Sequence, residues 1–204
     1  MKLKKLILGT MQTNCYVLIQ DNQECLLVDP GAQGQKVTQY LDENELVLKG
    51  ILLTHGHFDH IGAVDYLYEK YHCPVYTHEY TCDLLEDSYL NLSENFGQPF
   101  VMKTSVSTDV NQLNIAGFHI QWLLLEGHCQ GSSMIYVPEH DLIFSGDVLF
   151  RGSIGRFDFP TSSHHETKQT LNKIKSMMFD ARVLPGHGEE TTLSNEQKNN
   201  PYLR

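Results

Sequence analysis

The sequence predicts an α/β (α+β) fold in which two β-sheets pack together with helices outside. Three observations carry this. Apolar, β-branched runs recur in two sets, one in each half of the chain. Each set is followed by segments with apolar residues at helical spacing, so the chain reads strands then helices, twice over. Histidine and aspartate residues fall just after several of the runs, where loops at strand ends would carry them to one rim.

The elements follow in order. Residues 3–8, 14–20 and 24–29 read as strands, with Asp21-Asn22 as a turn between the second and third, an antiparallel start. Asp29-Pro30-Gly31 ends the third strand sharply. Gly34 to Asn44 carries Val37, Tyr40 and Leu41 at helical spacing. Residues 49–53 form a buried strand that leads into a histidine-rich loop. From Ala63 to Tyr71, Val64, Leu67, Tyr68 and Tyr71 share one helical face. Residues 74–77 are a short strand and 78–85 a helix. The stretch 87–104 is irregular, with Asn, Ser, Gly and Pro spread through it, and is expected to be a surface excursion beside the site, a candidate lid. The second half begins with strands at 112–115 and 118–125, joined by Ala116-Gly117, then 133–137 and 142–145. His164 to Met178 reads as an amphipathic helix, 182–184 as a last strand, and Ser194-Asn195-Glu196-Gln197 as the opening of a short final helix.

Composition narrows the function classes. The chain has 204 residues and 41% hydrophobic content, enough for one domain spanning 1–204 with a real core. Fifteen Lys and Arg against 25 Asp and Glu give a net charge of −10, which disfavours a nucleic-acid partner. No apolar run approaches the roughly 20 residues that span a membrane. The basic start Met1-Lys2-Leu3-Lys4-Lys5 leads into an apolar piece that stops at Gly9, too short for a signal, so a cytoplasmic location is expected. Five cysteines (Cys15, Cys25, Cys73, Cys82 and Cys129) form no CxxC and are expected to be buried free thiols.

The chemistry is concentrated in Thr54-His55-Gly56-His57-Phe58-Asp59-His60, where three imidazoles and one carboxylate crowd a single turn. These are ligand types for zinc, iron and manganese. Three later residues share a strand–Gly–ligand context: His128 in Gly127-His128, Asp147 in Gly146-Asp147, and His187 in Gly186-His187. Taken singly, a strand-end histidine is a hydrogen-bonded surface residue and an aspartate after Ser-Gly a turn former. Together the seven supply five imidazoles and two carboxylates. That exceeds one tetrahedral zinc and suits two divalent metal ions bridged by a carboxylate.

His-x-His-x-Asp-His, then Gly-His, then Gly-Asp, then Pro-Gly-His-Gly, in this order over nearly the full length, resembles the metallo-β-lactamase superfamily. The run Gly146 to Pro160, the opening Thr13-Asn14-Cys15-Tyr16 and the ending Asn199-Asn200-Pro201-Tyr202-Leu203 look most like the short, single-domain, glyoxalase II-related hydrolases. The resemblance implies a four-layer αββα sandwich with a two-metal site between sheet edges. One metal would take His55, His57 and His128, the other Asp59, His60 and His187, with Asp147 bridging. Asp29, in Val-Asp-Pro-Gly, would orient a ligand histidine, or would be a strand-end turn former. Zinc is the first expectation for the metals, with iron or manganese also suited.

A shared water whose pKa is lowered toward neutrality would supply hydroxide to attack a thioester carbonyl, with Asp59 and Asp147 in the catalytic set. Thiolate leaves without a strong general acid, and no matched Ser or Cys nucleophile is visible. The expected substrate is a small acyl-thiol. Arg156 stands where similar enzymes place a basic residue and would bind a substrate carboxylate, or would pair with Asp158. No C-terminal glutathione-binding helical extension is expected, which puts glutathione in doubt as the carrier. Gly127-His128-Cys129-Gln130 departs from the usual Gly-His-Thr-Pro; Cys129 reads as redox-sensitive, metal-adjacent, or packed in place of threonine. The main rival is a mononuclear iron persulfide dioxygenase, which the Pro-Gly-His-Gly form at His187 disfavours. Nuclease, β-lactamase proper and a non-catalytic metal-binding module fit less well.

Overall fold

The computed structural model describes residues 1–96 and 98–204. The first sheet is built from the predicted opening strands. β1 (Lys2–Leu8), β2 (Thr13–Ile19) and β3 (Glu24–Val28) pair antiparallel, and β4 (Val47–Leu52) and β5 (Val75–Tyr76) continue in parallel. Parallel neighbours need crossovers. These are α1 (Gly34–Glu43) between β3 and β4, and α2 (Phe58–Ile61) with α3 (Val64–Tyr71) between β4 and β5. Next come α4 (Cys82–Glu86) and α5 (Ser93–Phe96).

The second sheet contains β6 (Leu113–Ile115), β7 (Phe118–Leu124), β8 (Ser133–Val137) and β9 (Leu142–Gly146), successive antiparallel neighbours. A small hairpin, β10 (Leu149–Phe150) and β11 (Ser153–Ile154), and α6 (His164–Ser176) then lead to β12 (Arg182–Pro185), which lies parallel to β9. β13 (Thr191–Thr192) forms the edge, followed by α7 (Leu193–Asn199). Ser163 caps α6 by accepting from the Glu166 amide at 3.2 Å, and Thr192 caps α7 through Asn195 at the same distance.

β2 shows why the layers stack. All seven of its residues are buried. Cys15, Val17 and Ile19 face the cluster under α1 and α3, with Val37, Leu41, Val64 and Leu67. Tyr16 and Leu18 face the other way, onto Phe118, Ile120, Ile135 and Phe144 of the second sheet. This is the period-2 alternation of a strand buried on both faces. Each fully buried large side chain there contributes about 1.5–3 kcal/mol. Ile174 of α6 covers the far face with Met134, Ile143 and Val183. The order is helix, sheet, sheet, helix, the αββα arrangement expected.

Several expectations are corrected. The histidine-rich stretch is a loop only through His57; Asp59 and His60 sit on α2, a single helical turn. The 78–85 helix divides into a 3₁₀ turn over Glu79–Thr81 and α4. Cys82 is half-buried, while the other four free cysteines are buried. The 87–104 stretch is no mere surface excursion. Asn91, Leu92 and Ser93 are buried, and the Asn91 carbonyl accepts the Phe58 amide at 2.8 Å. The part of that expectation falling on Gly97 lies outside the described residues. β10, β11 and β13, of two residues each, lie outside the predicted strands. Among the described residues, no helix is long and apolar enough to cross a membrane.

Candidate metal centre

The structure brings all seven nominated residues to one end of the sandwich. His55 and His57 follow β4, and α2 carries Asp59 and His60. His128 follows β7, Asp147 follows β9 and His187 follows β12. The donor atoms of the seven form two groups, and a third joins Asp29 with His55 and His60. His55, His57 and His128 present ring nitrogens within 4.8 Å of one another, as do the donor atoms of Asp59, His60 and His187. His57 Nδ1 lies 3.0 Å from His128 Nε2. Asp147 sits between the groups. Its Oδ2 is 3.6 Å from both His128 Nε2 and His187 Nε2, and its Oδ1 is 3.4 Å from His60 Nε2.

The supports behind these side chains fix which atoms point inward. Asp29, buried and in the left-handed region at φ +50°, accepts from the Thr54 amide at 2.8 Å and from the Thr54 hydroxyl at 2.6 Å. It also accepts from His60 Nδ1 at 2.9 Å. With its proton committed to Asp29, the Thr54 hydroxyl can only accept from His55 Nδ1, 3.1 Å away. One carboxylate thereby sets the tautomer of two histidines and leaves both Nε2 lone pairs facing the site. His128 Nδ1 donates to the Arg156 carbonyl at 2.7 Å, and His187 Nδ1 to the Met11 carbonyl at 3.1 Å.

The loop carrying His187 is held by the opening motif. Asn14 Nδ2 donates to the carbonyls of Pro185 (2.9 Å) and Gly188 (3.0 Å), and the Tyr16 hydroxyl donates to Pro185 at 2.9 Å. Thr13 donates to Asp59 Oδ2 at 2.9 Å. Close approach explains Gly186: a Cβ there would lie 2.3 Å from Asp147 Oδ1 and 2.6 Å from His60 Cε1. The β10–β11 hairpin is tied down from below by Glu196. That buried carboxylate accepts from the Gly152 amide, Thr191, Asn195 and Asn200 at 2.7–2.9 Å. Thr13, Thr54 and Glu196 stand in stretches the sequence singles out, but nothing in those stretches marks them as supports of the site.

The donor set fits cations. His55 Nε2, His60 Nε2 and Asp147 Oδ1 are buried with no hydrogen-bond partner, an arrangement that is costly unless something positive binds them. Two nitrogens on one tetrahedral metal lie about 3.3 Å apart, close to the His57–His128 separation. Charge is divided unevenly. Burial, then neighbouring histidines, pushes His55 well below the ordinary imidazole range. Burial and His128 do the same to His57. Burial also opposes charge on His60, but Asp59, Asp147 and Asp29 overcome it and raise that ring well above the ordinary imidazole range. Asp59 is correspondingly depressed: burial would raise it, and His60 and His187 outweigh burial. A cation is what this acidic half of the site replaces a proton with. Cys129 Sγ reaches the first group, but it contacts Ser132 Oγ at 3.0 Å, and burial pushes its thiol up to about 12. It is packed as a small neutral side chain.

A cavity of about 360 Å³ opens over these residues, with His57, Asp59, His128, Asp147 and His187 on one wall. Met11, Leu92, Phe96, Phe150, Ile154 and Phe159 line most of the rest. Arg156 reaches its edge while giving Nε and Nη2 to Asp158 at 2.9 and 3.0 Å. The pairing alternative raised for Arg156 is therefore present, and the side chain is still on the cavity.

Fold and site define a class, the metallo-hydrolases. The model of the Metallo-beta-lactamase superfamily matches residues 8–187, and the chain belongs to that superfamily. It is 43% identical over 209 residues to "Probable metallo-hydrolase YqgX" of Bacillus subtilis, covering 100% of this chain and 98% of that protein. It is 32% identical to the hydroxyacylglutathione hydrolase GloC of Haemophilus influenzae, covering 94% and 93%. Among solved structures it is similar to the B3 metallo-beta-lactamase BLEG-1, at 37% identity, TM-score 0.92 and 99% coverage of both chains. It is also similar to TTHA1623 in a di-iron-bound form, at 35% identity and TM-score 0.87, covering 98% and 100%.

Proposed function

We propose that this chain is a binuclear metal-dependent hydrolase that cleaves the thioester of a small acyl-thiol. His55, His57 and His128 would hold one divalent ion, Asp59, His60 and His187 the other, and Asp147 would bridge them. The observation that carries the reading is the position of Asp147, whose carboxylate stands between two histidine groups with its Oδ1 buried and unpartnered. Similarity to a hydroxyacylglutathione hydrolase supports the thioester, and the di-iron neighbour supports two metals of a kind still to be assigned. Zinc, iron and manganese all suit imidazole and carboxylate donors.

When bound, the two cations lower the pKa of water at the site and polarise the substrate carbonyl. The chain's own residues do the rest. Asp29 and Thr54 keep His55 and His60 in the donor tautomer. Asp59 and Asp147 line the cavity as carboxylates that would hold the ions and accept hydrogen bonds from the attacking water, orienting it. The apolar wall limits water around the reacting carbonyl. The departing thiolate needs no acid, since an ordinary thiol ionises near pH 8.5.

The test is metal analysis of protein purified without added metal, paired with an assay on S-lactoylglutathione and simpler thioesters. Two metals per chain with thioester cleavage is the expected result. One iron per chain, no cleavage, and oxygen consumption with a persulfide would overturn it in favour of the dioxygenase.

A further inference from the structure

The cavity beside the candidate centre is matched to one kind of thioester and mismatched to another. Away from the histidines and aspartates, its surface is made mostly of apolar side chains, Met11, Leu92, Phe96, Phe150, Ile154 and Phe159, with Ser153 and Arg156 as the polar exceptions. Its aromatic rings contact one another, and Phe96 remains half exposed. Phe96 meets Phe159 edge-on at 6.4 Å and stacks with Phe58 at 6.3 Å, and Phe159 meets His57 at 5.6 Å. Leu92 is held in the left-handed backbone region at φ +68° with its side chain buried. A branched side chain takes that conformation only where its surroundings impose it. Here the Leu92 amide donates to Tyr89, its carbonyl accepts from Asn95 and Phe96, and the flanking Ser93 amide donates to Asn91 Oδ1. The strained turn presents an aliphatic side chain to the cavity.

Cationic recognition is weak by contrast. Apart from the histidines, Arg156 is the cationic side chain among the described residues lining the cavity. Its guanidinium is bound bidentately by Asp158 and lies over the Phe159 ring at 4.5 Å. Arg151, in the turn of the preceding β10–β11 hairpin, is paired with Glu189. A carrier with two carboxylates, such as glutathione, meets one arginine whose guanidinium is already paired with a carboxylate, on a chain of net charge −10. An apolar acyl chain meets six apolar side chains.

Resting on the hydrolase reading above, we propose that the preferred substrates are thioesters with an apolar acyl chain on an uncharged thiol, selected by the Leu92–Phe96–Phe159 wall and by Asp158 masking Arg156. Hydrolysis forms the acyl–oxygen bond from water and breaks the acyl–sulfur bond. The carboxylic acid and the free thiol are released, with no change of oxidation state.

The experiment compares kcat/KM of the metal-containing protein for acetyl, butyryl and hexanoyl thioesters of N-acetylcysteamine, and for hexanoyl- and lactoyl-glutathione. Expected is a rise of roughly fourfold per methylene along the neutral series, with hexanoyl-N-acetylcysteamine preferred over hexanoylglutathione. Leu92→Ala should flatten that rise to about twofold per methylene or less. Asp158→Asn, at an exposed position, should shift the ratio of glutathione to neutral thioester about tenfold toward glutathione. A flat chain-length series, or wild-type preference for lactoylglutathione, would overturn the proposal and leave the hydrolase reading standing. An unshifted ratio in Asp158→Asn would overturn the masking role. Failure to cleave any thioester would overturn both readings.

Discussion

Replacing Asp29 with asparagine tests the site where its geometry is most closely specified. Asparagine tolerates the φ of +50° nearly as well as aspartate, so the backbone is kept. The change is confined to one atom. Asp29 Oδ2 accepts both the Thr54 hydroxyl, at 2.6 Å, and His60 Nδ1, at 2.9 Å, while Oδ1 accepts the Thr54 amide. With an amide nitrogen in place of Oδ2, two buried donors face a third. The Thr54 hydroxyl can rotate, but then it no longer receives His55 Nδ1 in the same way. His60 relieves its clash only by moving its proton to Nε2, the atom that would otherwise bind metal. One buried donor left unsatisfied costs about 1–3 kcal/mol, and loss of such a supporting partner lowers metal affinity about 10–100-fold. The effect should therefore be modest in urea unfolding of the metal-free protein and large in a competitive chelator titration. Metal affinity within twofold of wild type would refute the reasoning that Asp29 sets the histidine tautomers.

Three further outcomes follow from other parts of the structure. His57→Ala, which removes a donor to the first histidine group, should lower kcat/KM at least about 10³-fold while circular dichroism shows the fold retained; intact turnover would remove the metal-centre assignment. Gly186→Ala places a Cβ against Asp147 and His60, so metal stoichiometry should fall toward one or fewer per chain by elemental analysis. Burial would raise the Glu196 carboxyl, but donors from Thr191, Gly152, Asn200 and Asn195 more than offset it and leave it below its ordinary value of 4.5. A depressed folded-state pKa gives stability that is present above pH 4.5 and lost as pH falls through the folded value. Glu196→Gln should therefore cost about 1–3 kcal/mol at neutral pH by urea unfolding, with the difference from wild type narrowing below pH 4.5.

How far the chain could be read in advance depended on how local the cause was. Strand alternation, helical spacing and turn residues are one-dimensional, so β1 to β4, β7 to β9, α1, α3 and α6 were legible to within a few residues. The run His55 to His60 announced its chemistry because the donor atoms are neighbours in sequence. His128, Asp147 and His187 were found by their shared glycine and strand-end context. The sequence alone thus determined two layers of sheet, the donor chemistry, and a rim on which it would gather.

What the tertiary structure decided were relations between distant segments. The pairing of donors across the site depends on two sheets closing together, which brings His128 to 3.0 Å from His57 across 71 positions. Asp29 becomes an orienting residue because parallel pairing of β3 and β4 sets its carboxylate beside Thr54. The 87–104 stretch became part of the cavity because Leu92 and Phe96 pack over the histidine loop, a contact that no local pattern encodes. Hydrogen bonds and apolar contacts between remote segments are cooperative products of the closed core. The residues that make them are ordinary until it forms.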